Sequence, residues 1–132
     1  MIKTLITDDS EKWVAFHAFC VREVFGNDVE IITANSARDG VDKLILHQEK
    51  PFDLILTDMQ MEPDYLPLMA GEWFIEQIQS YKKYEKTPIV IISAASDIKL
   101  IAKRYGVNYL PKYNCNRQGS YDFIKELVEE RL

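Results

Sequence analysis

Three aspartates stand at the ends of apolar segments, where their carboxylates could bind a cation. Residues 2–7 form a largely apolar, β-branched run that ends at Asp8 and Asp9, and residues 52–57 form a second run that ends at Asp58. Carboxylates brought close together repel one another and raise each other's pKa unless a positive charge lies among them. A hard divalent cation such as Mg²⁺, which prefers oxygen ligands, is the natural counter-charge. We therefore predict a Mg²⁺ site formed by these carboxylates.

Two further polar residues follow apolar segments in the same way. Ser93 ends the run "IVIIS", and Lys112 follows the run "VNYLP". The serine offers a hydroxyl donor and the lysine a second positive charge. An aspartate can attack phosphorus and form an aspartyl-phosphate, while a metal ion and a lysine neutralise the charge on the transferring group. The sequence has neither G-x-x-x-x-G-K nor G-x-G-x-x-G, so a nucleotide site of the usual kinds is unsupported.

Alternating strands and helices are predicted to bring these residues together. Apolar runs and helix caps predict five strands and five helices. The strands are residues 2–7, 29–34, 52–57, 89–93 and 107–111, and the helices are 11–25 after a Ser10 cap, from Asn35 or Ser36 to about 48, 71–83, 97–105 and 120–131. This alternation implies an open, doubly wound parallel sheet covered on both faces. Ligands bind such sheets at the carboxyl ends of the strands, where every polar residue above falls.

Composition narrows the class of protein. The 132 residues fit one domain, residues 1–132, and 47% hydrophobic with 28% charged residues is typical of a soluble globular protein. A net charge of -5 argues against a nucleic-acid-binding surface. The sequence has no run long enough to span a membrane and no signal peptide, and Cys20 and Cys115 fit two reduced thiols. We expect a cytoplasmic protein with no membrane or direct nucleic-acid partner.

Four short motifs resemble those of a known family. "TDD" follows the first predicted strand, "LTDMQM" spans the end of the third, "IISA" the end of the fourth and "YLPK" the end of the fifth. In order and placement they resemble the receiver domains of two-component response regulators, and the resemblance covers essentially the whole chain. It implies a single-domain, five-stranded (βα)5 fold of the flavodoxin-like or CheY-like kind.

The resemblance also implies the chemistry of the site. Asp58 would be the phosphoacceptor and, with Asp9, a direct ligand of Mg²⁺. Asp8 would bind the ion through water, and the backbone carbonyl of Gln60 would complete the protein's share of the metal shell. Lys112 would pair with the phosphoryl group.

A switch and its partners follow from the same resemblance. Ser93 would move toward the phosphoryl group, and Tyr109 would turn into the space that Ser93 leaves. The face formed by the fourth helix, the fifth strand and the fifth helix would then change shape. The phosphodonor would be a sensor histidine kinase or a histidine phosphotransfer protein, and the signal would pass to a downstream target protein by contact. We expect a stand-alone receiver without an output domain, acting as a switch rather than as an enzyme.

Three departures from the family pattern carry expectations of their own. The loop over residues 59–70 looks extended. The span from Ser93 to Lys112 is about one helical turn short, so the fourth helix is expected to be shortened, and homodimerisation through that surface stays open. Pro111 precedes Lys112 instead of following it, so the loop after the fifth strand is expected to differ.

Two other functions stay open. One alternative is a pseudo-receiver, an interaction module that is never phosphorylated. The other is a phosphatase using an aspartyl-phosphate, which normally needs a second aspartate where Gln60 stands and a large cap domain.

Three aromatic side chains on predicted helices carry structural expectations. His17 and His47 are expected at the surface, and Trp13 is expected to pack against its helix's neighbours.

Overall fold

Five strands and five α-helices alternate along the chain. A computed structural model describes residues 1–59, 61 and 70–131. In chain order the elements are β1 (Ile2–Thr7), α1 (Glu11–Phe25), β2 (Val29–Ala34), α2 (Ala37–Leu46), β3 (Leu54–Thr57), α3 (Ala70–Ser80), β4 (Ile89–Ser93), α4 (Ile98–Tyr105), β5 (Asn108–Pro111) and α5 (Phe123–Arg131). Short 3₁₀ helices span Lys82–Tyr84 and Lys112–Asn114.

The strands form one parallel sheet in the order β2-β1-β3-β4-β5. The predicted doubly wound fold is therefore confirmed. The order reverses after β1, which lies between β2 and β3, and Thr7 at its end is in register with Thr57 at the end of β3. The residues that follow these two strands consequently meet at one edge of the sheet, beside the point at which the strand order reverses.

Apolar side chains on both faces of the sheet account for this architecture. Successive residues of a strand point to opposite faces. In β1, Leu5 packs with residues of α2 and α3, whereas Ile6 packs with residues of α1 and α5. Val90 and Ile91 of β4 divide in the same way, and Ile91 joins a cluster with α3 and α4. Both faces are therefore dry, and the polar strand ends project beyond this packed core.

Several element bounds differ from the predicted ones for local reasons. β3 begins at Leu54, because the side chain of the preceding residue, Asp53, accepts the hydrogen bond from the Lys3 amide at 2.8 Å. α5 begins at Phe123, because a 3₁₀ helix and successive turns occupy the segment before it, with Gly119 at a φ of 79°. The fourth helix is short as predicted. α4 has eight residues, and the residue that caps its carboxyl end, Gly106, adopts a left-handed conformation.

Helix α3 begins directly against the segment that follows β3. A Cβ atom at Gly71 would lie 2.4 Å from Cα and 2.5 Å from the carbonyl oxygen of Met59. Only glycine allows so close an approach of a helix to a backbone. The residue after Asp58 is thereby packed against the first turn of α3.

A buried carboxylate joins α3 to α4. Glu72 Oε1 accepts hydrogen bonds from Arg104 Nη1 at 3.0 Å and from the Tyr105 hydroxyl at 2.9 Å. Charge-assisted hydrogen bonds of this kind are the stronger class, and they fix the last turn of α4 to the first turn of α3.

Across the described part of the chain, no helix has the length and hydrophobicity needed to cross a bilayer.

Candidate functional site

The structure brings the three predicted carboxylates together. Asp8 and Asp9 follow β1, and Asp58 follows the neighbouring β3, whose backbone continues the ladder with a hydrogen bond of 3.0 Å from the Asp58 amide to the Thr7 carbonyl. One carboxylate oxygen of each residue lies within 4.8 Å of those of the other two. Asp8 and Asp58 are buried, and Asp9 is exposed. The cluster is thus a partly open acidic pocket at the carboxyl edge of the sheet.

Lys112 spans the two buried carboxylates. It follows β5 at the same edge, and its Nζ lies 2.9 Å from Asp58 Oδ2 and 3.2 Å from Asp8 Oδ2. Burial acts to lower the pKa of Lys112, but the hydrogen bond and charge of Asp58 and the charge of Asp8 prevail and raise it above its ordinary value. The ammonium also lies 4.7 Å from the centre of the Trp13 ring. Lys112 is therefore held as a cation between the carboxylates and an indole face.

Asp8 stays ionised inside the protein. Burial acts to raise its pKa, but the His17 side chain, the Ser10 amide and the charge of Lys112 together outweigh that effect and lower the pKa below its ordinary value. The Ser10 amide donates to Asp8 Oδ1 at 2.9 Å, and the Ser10 hydroxyl caps α1 by accepting from the Trp13 amide at 3.3 Å. The start of α1 thus fixes one oxygen of the carboxylate.

The other oxygen of Asp8 bears on whether the pocket fits a metal ion. Asp8 Oδ2 is buried and has no hydrogen-bond partner among the described residues, although Lys112 and His17 face it outside hydrogen-bond geometry. A buried carboxylate oxygen that has an ion-pair contact but no hydrogen bond can still take a further partner. Together with two further carboxylates, it offers the oxygen donors that a hard divalent cation takes. The pocket therefore fits such an ion.

The remaining predicted site residues divide into three cases. Ser93 is fully buried at the end of β4, and its hydroxyl accepts a hydrogen bond of 3.1 Å from the Ala95 amide. Tyr109 in β5 has 37% of its surface exposed, so its ring lies outward. Gln60 lies outside the described residues, as do residues 62–69 of the predicted extended loop.

The expectation that His17 is a surface residue was wrong. Its side chain is 2% exposed, its Nδ1 lies 2.6 Å from the Tyr121 hydroxyl, and its Nε2 lies 3.5 Å from Asp8 Oδ2. A signal for this was present in the sequence. His17 lies three residues after Val14 and four before Val21, and that spacing places it on the apolar face of α1.

An open groove adjoins the pocket on the α1 side. Its volume is about 440 Å³, and Lys112 forms part of its wall. The other lining residues are Lys12, Trp13, Phe16, Tyr113 and Asn116. The groove therefore combines aromatic surface with positive charge next to the acidic cluster.

The sequence is similar to those of several known proteins. The family model of the response regulator receiver domain matches residues 4–112. A protein-glutamate methylesterase/protein-glutamine glutaminase of Pyrococcus horikoshii is 28% identical over 116 residues, which cover 84% of this chain and 28% of that protein. The sensor histidine kinase TmoS of Ectopseudomonas mendocina is 28% identical over 101 residues, which cover 76% of this chain and 9% of the kinase. The chain thus matches only a minor part of the length of either relative.

Solved structures show the same fold. The signal receiver domain of a DNA binding response regulator protein (merR) from Colwellia psychrerythraea superimposes with a TM-score of 0.76 at 22% identity, covering 98% of this chain and 99% of that one. The predicted resemblance to receiver domains is confirmed by the family match, which spans most of the sequence. The chain belongs to the response regulator receiver domain family of two-component signalling.

Proposed function

We propose that the chain is a Mg²⁺-dependent phosphoacceptor switch in which Asp58 receives the phosphoryl group. The observation that carries this proposal is the pocket itself: three carboxylates lie within 4.8 Å of one another, and the Lys112 amine contacts two of them. Asp8, Asp9 and Asp58 would hold the ion. When bound, Mg²⁺ supplies positive charge that neutralises the oxygens of the transferring group.

The side chains of the pocket have separate tasks in the transfer. An oxygen of Asp58 attacks the phosphorus of a phosphohistidine, a P–O bond forms, and the P–N bond breaks with its electron pair leaving on the imidazole. Lys112, already 2.9 Å from Asp58, pairs with the phosphoryl oxygens as they arrive. Asp8 and Asp9 would hold the ion together with Asp58. The product carries about -1.5 to -2 of new charge in a pocket where one lysine already faces three carboxylates.

We propose a sensor histidine kinase or a histidine phosphotransfer protein as the phosphodonor. Asp58 is only 3% exposed, so a donor must approach through the open side of the pocket. The groove beside Lys112 offers aromatic surface there, including Tyr113, which is 75% exposed. The match to part of a sensor histidine kinase supports a place in the same kind of signalling system.

Output would pass through the surface of α4, β5 and α5 to a target protein. Ser93 is buried at the end of β4 next to this surface, and Tyr109 stands outward on β5. A new phosphoryl group that draws the serine hydroxyl would favour the state in which the tyrosine ring turns inward. A two-state population shift of this kind needs only a few kcal/mol of differential interaction.

Incubation with acetyl phosphate and Mg²⁺ tests the proposal. We expect intact-mass measurement to show one added phosphoryl group on the wild type, and none on Asp58→Asn or after chelation of Mg²⁺. Asp28→Asn is the matched control, because it removes an exposed carboxylate remote from the pocket. Release of phosphate over many turnovers would indicate a phosphatase instead. A folded wild-type protein that takes up no label would be a pseudo-receiver.

A further inference from the structure

Behind the acidic pocket lies a pair of buried polar side chains that the phosphotransfer chemistry does not use. His17 of α1 and Tyr121, two residues before α5, are 2% and 4% exposed. The His17 Nδ1 lies 2.6 Å from the Tyr121 hydroxyl, and its Nε2 faces Asp8 Oδ2 at 3.5 Å without hydrogen-bond geometry. The imidazole therefore stands between a core hydroxyl and a carboxylate of the pocket.

The Tyr121 hydroxyl is the group that can set which ring nitrogen of His17 carries a proton. Burial, and after it the neighbouring Cys115 thiol, raise the pKa of Tyr121, so its hydroxyl remains protonated and able to donate. If that hydroxyl donates to Nδ1 of a neutral imidazole, the ring proton must be on Nε2, the nitrogen that faces Asp8.

The ring orientation is fixed as well. Trp13 stacks on the imidazole with ring centroids 5.4 Å apart and planes 28° apart. Trp13 and His17 are four residues apart on α1 and lie on one helix face. One turn of this helix therefore contacts two charged neighbours of Asp58: the indole lies under the Lys112 ammonium, and the imidazole faces Asp8.

We propose that His17, held in its Nε2–H form by Tyr121 and in its orientation by Trp13, is a positioning residue that sets the Asp8 carboxylate for the cation. This inference rests on the proposed Mg²⁺ site. The Ser10 amide holds only Oδ1, whereas Oδ2 is faced by the Lys112 ammonium at 3.2 Å and, from the core side, by His17 Nε2 at 3.5 Å. Groups that orient the ligands of a metal typically change its affinity by 10- to 100-fold when removed.

Calorimetric titration with Mg²⁺ alone tests the role in binding. We expect His17→Leu, which keeps an apolar volume but has no donor, to weaken Mg²⁺ binding by about 10-fold or more. His17→Gln returns an N–H near the Nε2 position and is expected to recover most of the affinity. Tyr121→Phe should weaken binding, whereas the matched control Tyr84→Phe should not, because that hydroxyl donates to Leu44 on the other face of the sheet.

Nitrogen NMR of the imidazole rings gives a readout that needs no metal. The sequence has two histidines, so a His47→Gln variant assigns the His17 signals. We expect the Nε2–H form in the wild type and its loss, or exchange between both forms, in Tyr121→Phe. This measurement decides the inference even if His17→Leu does not fold.

The outcomes separate this inference from the proposed function. A wild type that binds Mg²⁺ and is labelled on Asp58, with folded His17→Leu and Tyr121→Phe variants of unchanged affinity, overturns the positioning role alone. An Nδ1–H form of His17 in the wild type also overturns it. A wild type that binds no Mg²⁺ overturns the proposed function, and the inference with it.

Discussion

The contact between Gly71 and the Met59 backbone can be tested by adding a single methyl group. In Gly71→Ala the new Cβ would lie 2.4 Å from Met59 Cα, where ordinary van der Waals contact is 3.4–4 Å, and a backbone cannot rotate out of the way as a side chain can. Overpacking of this kind costs about 1–3 kcal/mol. Alanine in place of glycine within a helix returns about 1 kcal/mol. We therefore expect a net loss in the free energy of unfolding of up to about 2 kcal/mol.

The larger effect should be on the site, because Met59 follows Asp58 directly. Gly40→Ala is the matched control: its Cβ would lie 2.6 Å from the buried Phe74 ring, so it also overpacks a helix but does not touch the Met59 backbone. Urea unfolding followed by circular dichroism gives the stabilities, and calorimetry gives the Mg²⁺ affinity. We expect both variants to lose stability and only Gly71→Ala to lose affinity. A Gly71→Ala protein that is more stable than the wild type, with unchanged affinity, would refute the reasoning.

Three further predictions concern charge and buried hydroxyls. Lys112→Met should lower the free energy of unfolding by about 3 kcal/mol, because it leaves the Asp8 and Asp58 charges without their buried partner. Mg²⁺ should restore part of the lost stability. Urea unfolding with and without the ion measures both effects, and a variant as stable as the wild type would contradict the prediction. Because the pKa of Asp8 is lowered in the folded protein, its contribution to stability is present above pH 3.8 and is lost as the pH falls below it, so Asp8→Asn should flatten the acid limb of the stability profile. Burial raises the pKa of Tyr84 to about 12, so stability should fall as the pH rises from 10 toward 12, and Tyr84→Phe should remove that part of the alkaline loss.

The sheet and its acidic edge could be predicted because their signals are local. Each strand is an apolar run with a polar residue at its end, and parallel strands place those ends at one edge. For this reason the sequence predicts that four side chains meet there: Asp8, Asp9, Asp58 and Lys112. No motif had to be complete, because the topology alone brings the strand ends together.

What the sequence did not predict depends on contacts between distant segments. The spacing of apolar residues on α1 indicates that His17 is buried, but its hydrogen-bond partner Tyr121 is 104 residues away. The start of α5 was placed too early because Gly119 and Ser120 resemble a helix cap, whereas Gly119 adopts a positive φ within a series of turns. The third strand starts later than predicted because the Asp53 side chain, and not a backbone carbonyl, accepts the hydrogen bond from the Lys3 amide.

The position of Trp13 has a practical consequence. Its indole lies against the Lys112 ammonium and the His17 ring, so its fluorescence should respond when the lysine moves away to meet a phosphoryl group. Only one other tryptophan is present, Trp73 of α3, and it packs in a different cluster on the other side of the sheet. A Trp73→Phe variant would therefore emit from a single indole beside the reacting carboxylate, so the occupancy of the pocket could be followed in real time without an added label.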